Sequence, residues 1–300
     1  MTENLGAENL VLPVPGQLAA MYLVPVSMPG AAAQRVAGQA IARRVAEPLR
    51  SLARSLLGTP ALAVAARPLA AFRSLSAEDL GEPATDVVAF ATMASPRPGP
   101  VHEWLTRAAS AAFAAELGLP VVDGFARQVL SAGEALATLP GAPRLTHVGG
   151  GFRLADWVAV RQAGQCLTTC GLGRFGLPEL RLDDVPPELH PAWTIALTGL
   201  GSRLLELLRR ELRGALRRGG ETAFVQVPDQ IEISRVDVGA AYGLDLTQDT
   251  EVLPVRLSLD PATTDELESY LTVQTTPFGQ PVASGPPSRA AGSFIRTSGG

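Results

Sequence analysis

The segment that most constrains the fold is residues 171–176, which read G-L-G-R-F-G and satisfy the G-x-G-x-x-G pattern. In a dinucleotide-binding fold these glycines follow a strand and open a helix whose N-terminus holds the pyrophosphate. Residues 165–170 do read as a strand, but Pro178 and the alternating residues after it predict extended chain instead of a helix. No acidic residue closes a second strand at the distance that the fingerprint requires. We therefore predict a glycine-rich turn and no bound cofactor.

Composition indicates a folded chain with two subdomains. The 300 residues are 46% hydrophobic and 18% charged, whereas disordered chains combine low hydrophobicity with high net charge. Single cores stop growing at roughly 250 to 300 residues, so this length favours division. We predict an N-terminal α/β subdomain over residues 1–140, a C-terminal α+β subdomain over 141–276, and a flexible tail over 277–300.

In the N-terminal half, short β-rich runs alternate with helix-forming runs. Pro48 should kink or divide the first helix, because a proline inside a helix removes a hydrogen bond. Gly118 should end the second helix, whose apolar residues fall on one face. The predicted strands are 21–26, 61–66, 87–92 and 120–125, and the predicted helices are 31–57, 101–117 and 131–138.

In the C-terminal half, Ala163-Gly164 should join two strands into a hairpin. A leucine stripe then predicts a long amphipathic helix with arginines, Arg209 among them, on its other faces. The predicted strands are 156–162, 165–170, 224–227, 231–236, 252–259 and 271–275, and the long helix is 191–218. Together the elements predict an α+β protein of two similar halves, with mixed or mostly antiparallel sheets and helices packed on one face.

Charge and composition exclude several function classes. The net charge of −4 gives no field that attracts phosphate backbones, so nucleic acid is not expected as a partner. All 25 basic residues are arginine, a bias typical of a GC-rich genome. Without lysine, the chain cannot form a Schiff base, anchor pyridoxal phosphate or build a P-loop.

The two cysteines and the N-terminal residues indicate the compartment. Cys166 and Cys170 are too few for a disulfide framework. On one strand they would lie about 13 Å apart, too far to share a metal ion. The first residues lack a basic segment, and prolines interrupt the apolar stretch 10–26, so neither a signal peptide nor a membrane span is predicted. We expect a cytoplasmic bacterial protein with no metal.

Three residues are candidates for acid–base chemistry. His102 and Glu103 lie at the predicted start of a helix, and Asp123 ends an apolar strand, where α/β sheets often place functional carboxylates. Ordinary first-turn residues and a turn before Gly124 explain the same residues equally well. No nucleophile elbow, zinc-protease, calcium-loop or kinase signature occurs in the chain.

The same glycine-rich segment resembles an element of a widespread bacterial group of domains of unknown function. That element has the pattern T-x-G-x-x-x-F-G-x-P-E-[LI], and residues 88–139 and 156–208 share the resemblance. The resemblance implies a compact cytoplasmic domain, an accessory or interaction module, and makes these positions a structural signature. The signature positions are Gly171, Gly173, Arg174, Phe175, Gly176, Pro178 and Glu179.

Three functions remain open from the sequence. The one we favour is a non-catalytic protein-binding or accessory protein of a bacterial system, immunity-like or associated with a secretion apparatus. The second is a hydrolase or transferase that uses His102, Glu103 or Asp123. The third is a structural protein that self-assembles into a homo-oligomer through an unpaired sheet edge.

Overall fold

A computed structural model describes residues 9–72, 85–97, 99–140, 152–220, 223–246, 252–260 and 269–274. The predicted tail, 277–300, lies outside the described residues. The described strands are β1 (Asn9–Pro13), β2 (Leu18–Val24), β3 (Ala63–Pro68), β4 (Asp86–Ala94), β5 (Val121–Asp123), β6 (Gln128–Leu130), β7 (Ala159–Ala163), β8 (Cys166–Cys170), β9 (Glu179–Leu182), β10 (Phe224–Pro228), β11 (Gln230–Ser234), β12 (Val252–Asp260) and β13 (Tyr270–Gln274). The described helices are α1 (Gly30–Arg44), α2 (Leu49–Leu56), α3 (Val101–Leu117), α4 (Ala132–Ala137), α5 (His190–Arg217) and α6 (Arg235–Tyr242).

These elements confirm the predicted α+β class. The strands form three sheets, and every pairing is antiparallel except that of β13 with β9. The chain forms two units, one of residues 16–152 and the other of residues 1–15 together with 153–300.

The unit of residues 16–152 is built on a five-stranded antiparallel sheet in the order β3-β4-β2-β5-β6. The predicted helix over 31–57 is divided, as expected, into α1 and α2, with Pro48 immediately before α2. α4 begins with a capping box, in which Ser131 and Glu134 each bind the other's backbone N–H group.

The central helix of this unit is α3, which occupies the predicted range 101–117 and ends at Gly118, whose φ is +70°. Every residue from 102 to 114 is buried. The prediction of a single apolar face is therefore incomplete, because α3 packs against β2 and β4 and also against α1, α2 and α4. Polar residues in its first two turns are consequently inside the unit and need internal partners.

The second unit contains a six-stranded sheet in the order β11-β12-β13-β9-β8-β7. The predicted hairpin is confirmed as β7 and β8, joined at Gly164 with φ +62°. The predicted long helix is confirmed as α5, although Arg209 is buried instead of exposed, and burial lowers its pKa to about 10. Among the described helices none is long and apolar enough to cross a membrane.

Two elements of this unit differ from the sequence-based expectation. β1 was not predicted as a strand; it pairs with β10 in a separate two-stranded ribbon. The predicted strand 231–236 ends at Ser234, which caps α6 through a capping box with Asp237. The hydroxyl of Ser234 accepts the Asp237 N–H, and this local bond favours a helix start over two further strand residues.

The two halves were expected to be similar, and what they share is the order of some helices and strands along the chain. In both units a long helix is followed by two short strands and a serine-capped helix. The pairing differs, because β5 and β6 form a hairpin with each other, whereas β10 pairs with β1 and β11 pairs with β12.

Candidate functional site

A buried polar cluster brings the first turns of α3 to the end of β5. The Tyr22 hydroxyl donates to Glu103 Oε2 at 2.9 Å. Arg107 Nε donates to the Tyr22 hydroxyl at 3.1 Å, and Arg107 Nη2 donates to Asp123 Oδ2 at 3.1 Å. Arg107 Nη1 donates to Thr138 Oγ1 at 2.9 Å. Arg107 therefore joins two of the three candidate acid–base residues, Glu103 and Asp123, in one network.

The residues of the cluster are buried. Glu103, Arg107 and Asp123 are 0% exposed, and His102 is 8% exposed. His102 Nε2 lies 4.0 Å from Glu103 Oε1, so all three candidate residues lie in one region of the unit. A general acid or base must reach substrate within hydrogen-bond distance, and this burial separates the carboxylates from a substrate in solvent.

The Asp123 carboxylate also holds the chain turn that follows β5. Its Oδ1 accepts the backbone N–H groups of Phe125 and Ala126, both at 3.0 Å. One carboxylate oxygen thus holds the turn, and the other binds Arg107. The Arg107 guanidinium additionally lies 5.3 Å from the Tyr22 ring centroid, within the range of a cation–π interaction.

A second polar cluster lies in the other unit, at the glycine-rich segment. Glu179 Oε1 accepts the backbone N–H groups of Gly171 at 2.8 Å and Gly173 at 3.1 Å. Glu179 Oε2 accepts the Thr169 hydroxyl at 2.8 Å. The donors that would face a phosphate in a dinucleotide fold are thus directed at a carboxylate of the same chain.

The pKa of Glu179 is affected by the burial of its carboxyl group. Burial raises its pKa, because removing the charge from water outweighs the hydrogen bonds from Gly173, Thr169 and Gly171. The Thr169 hydroxyl that donates to Glu179 also accepts the Leu180 N–H at 2.7 Å.

Local geometry explains the glycines of this segment. Gly171 has φ +119°, and a Cβ atom there would lie 2.6 Å from the Trp157 carbonyl oxygen. Residues 173–175 form one turn of 3₁₀ helix, which ends at Gly176 with φ +85°. The segment therefore makes a single turn and enters β9, as Pro178 predicts, instead of opening a long helix.

Two further signature side chains, those of Arg174 and Phe175, are buried inside the unit. Arg174 is 0% exposed and Phe175 is 5% exposed. Leu172, within the same segment, lies against α5, since a Cβ atom added at Gly201 would be 3.3 Å from its side chain.

Sequence reasoning missed Tyr22, Arg107, Thr138 and Thr169 as members of these clusters. Arg107 had a readable signal, because it lies four residues after Glu103, on the same helical face, just before an alanine-rich run. Tyr22 gave none, since a tyrosine in an apolar strand looks like an ordinary core residue.

An apolar groove lies beside α2 in the unit of residues 16–152. Its cavity volume is about 550 Å³, and it is lined by Pro48, Leu49, Ser51, Leu52, Ser55 and Val101. Leu52 and Val101 are 39% and 37% exposed. Positions 48, 51, 52 and 55 follow the i, i+3, i+4, i+7 spacing of one helix face. None of the three acid–base candidates lines this groove.

The cysteines lie on one strand, as predicted. Cys166 and Cys170 begin and end β8 and are not joined in a disulfide, and burial raises the pKa of Cys166. Across the described ranges, no three His, Cys, Asp or Glu side chains are grouped so that they could hold a metal ion.

Comparison with known proteins gave no match, whether with a family model, a curated protein or a solved structure.

Proposed function

We propose that this chain is a non-catalytic protein-binding protein whose docking face is the groove beside α2. The observation that carries the proposal is the exposure of Leu52 and Val101 at 39% and 37% on a concave apolar surface. Exposure of such an apolar surface to water is unfavourable, and a partner side chain that fills the groove removes apolar area from solvent.

One exposed cation beside the groove supports a particular partner chemistry. Arg54 is exposed on α2, whereas Arg50, half-buried four residues before it, already donates to the Val45 carbonyl at 2.6 Å. An amphipathic helix with an apolar stripe and an acidic flank fits this combination, because the stripe fills the groove while the acid faces Arg54. Cytoplasmic immunity-like and secretion-associated roles both belong to this class, and the identity of the partner separates them.

The hydrolase or transferase alternative has one observation in its favour, the convergence of His102, Glu103 and Asp123 around Arg107. The same observation has a structural reading, since Asp123 binds Arg107 and two backbone N–H groups, and Glu103 accepts from Tyr22. These bonds support a role in stability, and we therefore favour the binding function.

A photo-crosslinking amino acid at position 52 of the full chain tests the proposal in the cells that produce it. We expect a discrete protein adduct at position 52. Position 129 is the matched control, because Val129 is a 46% exposed apolar residue of the same unit outside the groove. The captured protein is then purified, and we expect Leu52→Asp to weaken its binding at least tenfold while Val129→Asp leaves it unchanged.

Adducts that are the same at both positions, or absent at position 52, would contradict the proposal. Recovery of a small molecule from the groove in place of a protein would contradict it as well.

A further inference from the structure

The ribbon of β1 and β10 has an exposed face, and β1 forms one of its two edges. Leu12, Val225 and Val227 are buried on one side of the ribbon. On the other side Val11 is 50% exposed and Phe224 is 61% exposed. Within the described ranges, β1 pairs with β10 and with no other strand.

The register shows which backbone groups of β1 face that edge of the ribbon. Val14 N–H donates to the Ala223 carbonyl at 2.8 Å, one step beyond the pairing of Pro13 with Phe224. Hydrogen-bonded pairs alternate along an antiparallel ladder, so Leu12 and Leu10 also bond to β10. The backbone groups of Asn9, Val11 and Pro13 therefore point away from β10.

From this geometry we propose that β1 pairs with β1 of a second copy of the chain, antiparallel and with Val11 opposite Val11. The inference is independent of the groove beside α2. In this register each Val11 N–H donates to the other Val11 carbonyl, and each Asn9 N–H donates to the Pro13 carbonyl opposite it. Pro13, which has no N–H, is required only as an acceptor in these bonds.

The sequence of β1 is suited to a copy of itself. It reads N-L-V-L-P, so the two-fold axis at Val11 places Leu10 of one copy beside Leu12 of the other and extends the buried face of each ribbon. A two-fold axis at Leu10 would require residues beyond the strand, whereas the axis at Val11 pairs all of it. Neither β1 nor β10 contains a charged residue, so the two paired strands place no like charges opposite each other, although each chain has a net charge of −4.

One strand pair is a small interface, and we expect a dimer that dissociates on dilution. Sedimentation of the full chain should give twice the mass of 31.3 kDa at high concentration and one chain at low concentration. Val11→Asp places two like charges opposite each other and should abolish the dimer. Val129→Asp, an exposed valine on strand β6, is the control and should leave the dimer intact.

A second variant tests the register. Cα atoms of a hydrogen-bonded antiparallel pair lie about 5.5 Å apart, within the range that a disulfide spans. Val11→Cys should therefore yield a covalent dimer on mild oxidation. Val129→Cys is the matched control, because it also retains Cys166 and Cys170, and it should yield no covalent dimer. A monomer at all concentrations, a dimer insensitive to Val11→Asp, or no more crosslinking at position 11 than at position 129 would overturn the proposal.

Discussion

The Arg107 cluster and the Glu179 cluster stabilise buried ionisable side chains in different ways. Around Arg107, a cation lies between the side chains of Tyr22, Thr138 and Asp123. Around Glu179, the donors are the Thr169 hydroxyl and backbone N–H groups. The first cluster depends on side-chain identity, whereas the second depends on a backbone path that glycine permits. In both clusters, residue types that are typical of catalysis or of phosphate binding are bound to groups of the same chain.

Arg107→Met should have the largest effect on stability. It removes the cation from a site that is 0% exposed and leaves the Asp123 carboxylate buried without it. We expect a loss of about 4 kcal/mol in the free energy of unfolding, as for other buried pairs that lose one member. Urea denaturation measures this loss.

The control for Arg107→Met is Arg54→Met, because Arg54 is exposed on α2. If Arg107→Met lowers the free energy of unfolding no more than Arg54→Met does, the buried Arg107 cluster contributes no more to stability than an exposed arginine.

Glu179→Ala should have the next largest effect. It leaves the Gly171 and Gly173 N–H groups and the Thr169 hydroxyl without their acceptor. Each buried unpaired group costs free energy, while removal of a desolvated charge offsets part of the cost, so we expect a loss of about 3 kcal/mol. Thermal or urea unfolding measures the loss, with the exposed Glu188→Ala as control.

A Glu179→Ala protein as stable as the control would show that the glycine-rich turn does not need its carboxylate. Glu179 would then not stabilise its turn in the way that Arg107 stabilises its cluster.

The pH dependence of stability should be the smallest effect, and its sign follows from burial. The pKa of Glu179 is raised in the folded state, so the folded protein binds more protons than the unfolded chain between the two pKa values. Stability contributed by Glu179 therefore falls as the pH rises from the unfolded-state pKa through the folded-state pKa. The difference in unfolding free energy between wild type and Glu179→Ala should shrink over that window.

Urea denaturation of both proteins at several pH values from acid to neutral measures this difference. A difference that grows with rising pH would mean that the N–H donors outweigh burial.

Local sequence rules account for much of the fold. Pro48 and Gly118 predict where helices break or end because proline lacks an N–H donor and glycine adopts positive φ. Pro178 predicts extended chain after the glycine turn for the same reason. The start of α6 was missed because Ile231 and Ile233 continue a strand pattern up to Ser234, and the capping bond to Asp237 competes with that pattern.

The candidate sites were less accessible from the sequence. The convergence of Tyr22, Glu103, Arg107 and Asp123 depends on the packing of α3 against β2 and β5, and no local pattern encodes such a long-range arrangement. The parallel pairing of β13 with β9 joins residues about 90 positions apart and is likewise invisible to periodicity. The groove beside α2 needs both Leu52 and Val101, which come from separate helices.

Partner binding by two variants tests whether the polar clusters stabilise the chain while the apolar groove beside α2 binds the partner. We expect Leu52→Asp to lose the protein captured at position 52 while its unfolding free energy stays close to that of wild type. Tyr22→Phe should lose about 1 kcal/mol of stability and bind the partner normally. Normal binding by Leu52→Asp, or loss of binding by folded Tyr22→Phe, would contradict this division of roles.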